Sequence, residues 1–274
     1  MKLQLCFSTC PNDTFMFYAM VNRKINTKGY EFDVYMADIE DLNLNAQQHN
    51  PHISKISFGA YPELASKYQL MDSGSALGQG VGPLLVSKHK IYPDEVADIT
   101  VALPGKHTTA HQLFNLAYPK VKEKKFYLFS DIEEVILSNE VDAGVIIHES
   151  RFTYQSKGLQ KISDLGEIWE QQTKLPVPLG GIAIASNLPE HVKTDMVTML
   201  KESIEYGFEN FSETLPYVKR YAQEMDETVM LKHIKLYVNN YSISLGKMGQ
   251  QAIAQLLYPK NNQKNYKDIF ISTL

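Results

Sequence analysis

Short apolar runs alternate with helix-period segments through most of this chain, and that alternation leaves few folds open. Residues 3–7 read as a buried strand. Ser8-Thr9-Cys10-Pro11-Asn12-Asp13-Thr14 follows as a turn and helix start, leading into Phe15, Met16, Phe17, Tyr18 and Met20. A second strand fits residues 30–35. Residues 38–47 carry Ile39, Leu42 and Leu44 at near-helical spacing, and residues 53–58 form a third strand. In that strand Ile53, Lys55 and Ser57 alternate with Ser54, Ile56 and Phe58. Strand and helix in turn predict an α/β fold, a sheet with helices on both faces.

A second unit of the same kind begins at residues 99–103. There the strand, the turn Pro104-Gly105-Lys106-His107-Thr108-Thr109-Ala110 and a helix through Leu113, Phe114, Leu116 and Ala117 follow one another. Then come a strand at 126–129, a helix at 131–137, the apolar run ending at His148, a short strand at 159–162 and a helix at 165–173. Leu175-Pro176-Val177-Pro178-Leu179-Gly180-Gly181 reads as an extended connector into a strand at 182–185. From residue 190 the chain is mostly helical, with Met196, Met199, Leu200, Ile204 and Phe208 as one core stripe. The polar stretch 260–274 is expected at the periphery. Two changes of unit predict two lobes, 1–98 with 184–274 and an inserted 99–183. The chain would cross between them twice, leaving a central cleft and a double crossover hinge.

Glycines recur in Gly74-Ser75-Ala76-Leu77-Gly78-Gln79-Gly80-Val81-Gly82-Pro83, which suits tight turns or a close backbone approach to a ligand, or simply a flexible surface loop. No dinucleotide fingerprint results, because Leu84-Leu85-Val86 reads as strand where a helix would be needed.

Lys plus Arg total 27 against 31 Asp plus Glu, a formal charge of −4, which argues against nucleic acid as the main partner. A local basic pocket for a small anion stays open. Cys6 and Cys10 have no companion set in a zinc pattern and read as reduced thiols, which points to the cytoplasm. No metal-ligand set and no cofactor motif is recognised. The first residues are too interrupted for a signal-peptide core, and no apolar run is long enough to span a membrane. Nothing in the chain fixes an oligomeric state.

His148 ends the run Ala143-Gly144-Val145-Ile146-Ile147, where a buried strand stops being apolar. In open α/β sheets that end faces the ligand crevice, and an imidazole there can exchange a proton near neutral pH. Glu149 follows it directly, so on an extended backbone its carboxylate is expected to point the opposite way. Thr108 and Thr109 open a helix whose free N–H groups can meet an anion, or they simply cap it. Ser8, Asn12 and Asp13 stand at the first strand end, where they can reach the cleft or serve as a helix cap.

Several segments together resemble the 1,4-dihydroxy-6-naphthoate synthase family of the futalosine route to menaquinone. They are Ser8-Thr9-Cys10-Pro11-Asn12-Asp13-Thr14-Phe15, Lys55-Ile56-Ser57, residues 73–83, Pro104 to Ala110 and Ile146-Ile147-His148-Glu149-Ser150-Arg151-Phe152-Thr153-Tyr154. The Leu175 to Gly181 connector and Tyr237-Val238-Asn239 also fit. The resemblance implies a two-lobed fold like the type 2 periplasmic binding proteins. It implies a carbon–carbon lyase acting on cyclic dehypoxanthinylfutalosine, a small-molecule carboxylate, to give 1,4-dihydroxy-6-naphthoate and dihydroxyacetone. His148 takes the proton acceptor's place, and Lys55, Ile56, Ser57, Thr108 and Thr109 take those of substrate contacts, with Ser8 and Asn12 near them. Such a retro-aldol-like step calls for a base and positioning groups, without cofactor or metal. A Schiff base from Lys55 is a lesser alternative. Two other functions compete: chorismate dehydratase of the same pathway, with a similar fold, and a non-catalytic module that closes on a small anion.

Overall fold

The alternation resolves into two sheets. A computed structural model describes residues 1–222, 226–258 and 268–271. The first sheet holds β1 (Lys2–Phe7), β2 (Glu31–Met36), β3 (Ile53–Ser57), β4 (Tyr68–Leu70), β5 (Ala76–Gly78) and β11 (Val177–Ala185). Its order is β2-β1-β3-β11-β4, with β5 also paired to β11. The second holds β6 (Leu84–Ser87), β7 (Val101–Leu103), β8 (Lys124–Phe126), β9 (Ala143–Ile146) and β10 (Gln160–Asp164), in the order β10-β6-β9-β7-β8. β1 runs parallel to β2 and β3, and β7 parallel to β8 and β9. β11 and β6 run antiparallel to their partners.

Sheet membership moves both lobe boundaries. β6 precedes residue 99 yet pairs with β9 and β10, and β11 begins before residue 184 yet pairs with β3. The crossings therefore fall between β5 and β6 and just ahead of Val177, not at 98/99 and 183/184. An apolar run announces a strand but not its partner, and pairing is what assigns Leu84-Leu85-Val86 to the second sheet. The Pro-rich connector is likewise strand from Val177 onward. Pro178 is tolerated there because the register with β5 shifts between Pro178 and Gly180.

The first sheet carries α1 (Pro11–Val21), α2 (Ile39–Gln48) and the short α3 (Tyr61–Leu64) between its strands. The second carries α4 (Thr109–Ala117), α5 (Ile132–Leu137), α6 (Ser150–Thr153) and α7 (Leu165–Thr173). Helices α8 (Glu190–Glu209), α9 (Phe211–Tyr221), α10 (Glu227–Tyr237), α11 (Asn240–Ile243) and α12 (Gly246–Leu257) follow β11. Met196, Met199, Leu200 and Ile204 are buried as expected, each worth about 1.5–3 kcal/mol of transfer free energy. Phe208 is not in that core: it is 44% exposed and covers the edge of Phe15. Of the tail expected at the periphery, Phe270 and Ile271 are buried instead. Phe270 bridges Leu70 at the sheet edge, where apolar side chains outweigh their polar neighbours. Residues 260–267 and 272–274 of that stretch lie outside the described residues.

The parallel strands β1, β3, β7 and β9 all end toward one cleft. Where the chain first crosses, Gly82 lies so close to Gly166 that a Cβ there would meet its backbone at 2.3 Å. Arg151 donates to the Gly82 carbonyl and pairs with Asp164 at 2.9 Å. At Gly82 the glycine-rich segment approaches backbone of the protein itself, where the sequence had suggested tight turns or an approach to a ligand.

Candidate functional site

The cleft holds about 660 Å³ of empty space counted out to its mouth, and both lobes line it. Lobe 1 contributes a closed polar network. β1 stops at Phe7 and Pro11 starts α1, because a proline costs nothing in the first turn, where a backbone N–H has no acceptor within the helix. That turn puts Asp13 one helical step inside. Asp13 Oδ2 accepts from the Ser8 hydroxyl at 2.7 Å and the Ser8 amide at 3.2 Å. Asp13 Oδ1 accepts from the Asn12 amide at 2.8 Å and from Lys55 Nζ at 2.6 Å. Lys55 and Asp13 form a buried ion pair, with side chains 6% and 1% exposed. Asp13 therefore caps nothing; it gathers Ser8, Asn12 and Lys55 at the cleft.

Lys55 and Ser57 share the cleft face of β3, and Ile56 does not. Strand alternation turns Ile56 into the apolar core behind the sheet, where it is fully buried. Only its backbone remains near the site, paired to Gly181 in β11. The Ser57 hydroxyl accepts from the Asn43 amide at 3.2 Å, which leaves its own proton free to donate.

Thr108 and Thr109 line the cleft, but their hydroxyls are already committed. Thr108 donates to the Gly105 carbonyl at 2.9 Å and accepts from the His111 amide at 3.2 Å, a true N-cap. Thr109 donates to the Leu179 carbonyl at 2.5 Å and accepts from the Gly59 amide at 2.9 Å. What α4 can offer a ligand is its first-turn N–H groups and dipole, not these hydroxyls.

Lobe 2 contributes His148, two residues past the end of β9. It is held at φ +56°, a left-handed conformation rare for a residue with a Cβ. The half-buried ring stands edge-on to Phe129, with centroids 4.7 Å apart. Across the cleft Cys10 Sγ lies 3.2 Å from Nδ1 and 3.9 Å from Nε2. Burial pushes the imidazole down to about 4; Asp13 opposes this and Lys55 adds to it. The ring is therefore neutral at ordinary pH. Burial, then the charges of Glu149 and Asp13, push the Cys10 thiol well up, so it keeps its proton.

The left-handed turn also overturns the expected direction of Glu149. Because the backbone is not extended at His148, both side chains face the same centre. Cys10 Sγ, a His148 nitrogen and a Glu149 carboxylate oxygen lie within 4.8 Å of one another. That sulfur, nitrogen and oxygen set is close enough for a thiophilic divalent ion to bridge. Its members come from two lobes and show no metal spacing in sequence.

His233 is the residue that sequence reasoning passed over. It lies on the buried face of α10 with Met230, Ile234 and Tyr237, a lone imidazole in an apolar stripe, and that placement was the available signal. Its Nε2 meets Asn12 Oδ1 at 3.0 Å, and its ring lies nearly parallel to His148 at 6.3 Å. Burial, then the charges of His148 and Lys55, hold its pKa well down. Glu149 Oε2 lies 4.0 Å from its Nδ1. The structure thus brings Ser8, Asn12, Asp13, Lys55, Ser57, Thr108, Thr109 and His148 to one cleft and adds Cys10 and His233.

The chain matches the family model described as menaquinone biosynthesis over residues 3–259. A 1,4-dihydroxy-6-naphtoate synthase of Thermus thermophilus is 38% identical over 254 residues, 93% of this chain and 92% of that protein. A crystal structure of an Archaeoglobus fulgidus protein superposes with a TM-score of 0.88 at 34% identity, covering 93% of this chain and 95% of the other. The periplasmic aliphatic sulphonate binding protein of Escherichia coli, at 9% identity, shares the fold alone. Its TM-score is 0.66 over 99% of this chain and 92% of its own. The two-lobed architecture is that of periplasmic binding proteins. Among the described residues, no helix is long and apolar enough to cross a membrane.

Proposed function

The chain belongs to the menaquinone biosynthesis family, and from that membership we propose that it cleaves cyclic dehypoxanthinylfutalosine to 1,4-dihydroxy-6-naphthoate and dihydroxyacetone, with His148 as general base. The observation that carries the reading is a neutral imidazole at the meeting of two lobes, in a cleft whose other wall already has its charges paired.

His148 takes a hydroxyl proton from the three-carbon portion of the substrate. The electrons of that O–H bond become the new carbonyl bond. The carbon–carbon bond breaks, and its electron pair passes to the bicyclic fragment, which gains a proton and becomes aromatic. Nothing is oxidised or reduced overall, so proton transfer and positioning suffice and no cofactor is called for. The substrate carboxylate fits between the lobes. The Ser57 proton and the Lys55 ammonium meet it from one side, and the first-turn amides of α4 from the other. Lys55 acts as a charge rather than a Schiff-base amine, because its nitrogen is held by Asp13.

The test is to incubate the purified protein with cyclic dehypoxanthinylfutalosine and, separately, with chorismate, and to resolve the products chromatographically. Release of the naphthoate and the triose in equal amounts is expected. Turnover of chorismate alone would replace this lyase by a dehydratase. Binding of the naphthoate without turnover of either compound would leave a small-anion module.

A further inference from the structure

Glu40 is a lobe 1 residue whose carboxylate docks on lobe 2. It stands in the first turn of α2, and its side chain crosses to the turn between β7 and α4. Both carboxylate oxygens accept the His107 amide, at 3.1 and 3.2 Å, and Oε1 meets His107 Nδ1 at 2.7 Å. At the other ring nitrogen Glu63, also of lobe 1, brings Oε2 to 3.8 Å from Nε2. Gly105 makes room for the crossing. Its φ is +144°, and a Cβ there would meet the Glu40 carboxyl carbon and Oε2 at 2.7 Å.

The same carboxylate reaches back into its own lobe. Oε2 accepts from Asn43 Nδ2 at 3.3 Å, and that nitrogen also donates to Ser57 Oγ at 3.2 Å. Asn43 Oδ1 accepts the Ser57 amide at 2.8 Å, and Asn43 is fully buried. His107, Glu40, Asn43 and Ser57 thus form one chain of hydrogen bonds between the lobes. Its ends are the two halves of the carboxylate seat: the turn that delivers the α4 amides, and the Ser57 hydroxyl. Thr109 pins the first residue of α4 to lobe 1. Glu40 pins the turn ahead of it and ties that turn to Ser57, while itself standing outside the cleft lining.

We propose that Glu40 is the positioning residue of the carboxylate seat, setting the distance between Ser57 and the N-terminus of α4 before any ligand arrives. That role rests on the carboxylate placement proposed above. A seat held ready spares the ligand the cost of ordering two lobes. Charge alone acts the other way, because a carboxylate beside the α4 terminus repels an anion. The sign of one substitution therefore decides between them.

Glu40→Ala and Glu40→Gln are compared with the parent in turnover and in calorimetric binding of two compounds. These are 1,4-dihydroxy-6-naphthoate and 1,4-dihydroxynaphthalene, the same rings without the carboxylate. Glu40→Ala is expected to raise KM, and Kd for the naphthoate, about tenfold or more, with kcat down no more than about threefold. Kd for the carboxylate-free rings should stay within about threefold. Glu40→Gln, which keeps an oxygen for the His107 amide, should restore the naphthoate Kd to within about threefold of the parent's. Tighter or unchanged naphthoate binding by Glu40→Ala overturns the proposal, and so does equal weakening for both compounds. Hydrogen exchange of the ligand-free proteins reads the link itself. In Glu40→Ala the amides of residues 105–110 and of Ser57 should both exchange faster, and a change confined to one lobe overturns the proposal. If Glu40→Ala does not fold, Glu40→Asp, one methylene shorter, takes its place. A parent that neither binds the naphthoate nor turns over cyclic dehypoxanthinylfutalosine sinks the lyase reading instead, and exchange in that same protein still decides whether Glu40 joins the lobes.

Discussion

The two walls of the cleft are built to opposite rules. On the lobe 1 wall Ser8, Asn12, Asp13 and Lys55 satisfy one another, and the charges cancel within 2.6 Å. On the lobe 2 wall His148 stands on a left-handed turn, neutral and half-buried, and its close polar neighbour Cys10 reaches it from the other lobe. A wall that has paired its own charges can hold a ligand in place without reacting. A wall that presents a neutral imidazole adds backbone amides of α4 but no charged pair of its own. On the function proposed above, the charged contacts to the ligand and the proton transfer then lie on different lobes, so damage to each should show in a different measurement.

Removing His148 should have the largest effect. His148→Ala is expected to cut turnover several hundred-fold or more, within the roughly 10²–10⁴-fold range for loss of a general base, while naphthoate binding by calorimetry stays close to the parent's. Turnover left intact would place the base elsewhere and erase the contrast between walls. Next comes the lobe 1 pair. Lys55→Met leaves Asp13 buried without its ammonium, and urea unfolding should report a loss of about 3–5 kcal/mol. A loss below about 1 kcal/mol would mean that this wall is not held by its charges.

The smallest effect is the response to acid. His148 titrates at about 4 when folded, and an unfolded imidazole near 6.5. The unfolded chain therefore binds the proton first. His148 costs nothing in stability above about pH 6.5, and it destabilises the fold progressively as pH falls from there toward about 4. Going from pH 7 to pH 5, the parent should lose more stability than His148→Ala. The acid limb of kcat/KM should lie near 4 rather than 6.5. Equal losses in the two proteins would show that the ring is not held neutral by burial.

Much of this was legible in sequence, and the failures share a cause. Period and length gave the strands and helices, because side-chain burial repeats on those periods. They could not say that β6 joins the second sheet or that β11 begins at Val177, since pairing depends on residues far along the chain. The alternation of β3 already placed Ile56 opposite Lys55 and Ser57. It entered the candidate site through its neighbours in a shared segment, not through its own direction. Glu149 was misdirected because one residue with positive φ breaks the rule of opposite faces, and no glycine marked it. His233 lies on a helix far from the other site residues, and its partner Asn12 becomes visible only once α10 packs on α1.

The left-handed backbone at His148 has a preference of its own. Any residue with a Cβ is disfavoured there by about 1 kcal/mol or more, and glycine would relieve it. A descendant lineage that no longer needed proton abstraction would thus be drawn toward glycine at this turn while keeping the paired wall opposite. If His148 is the base proposed above, one letter after the Ile-Ile doublet would sort the enzymes from the mere carriers in a collection of kindred genes.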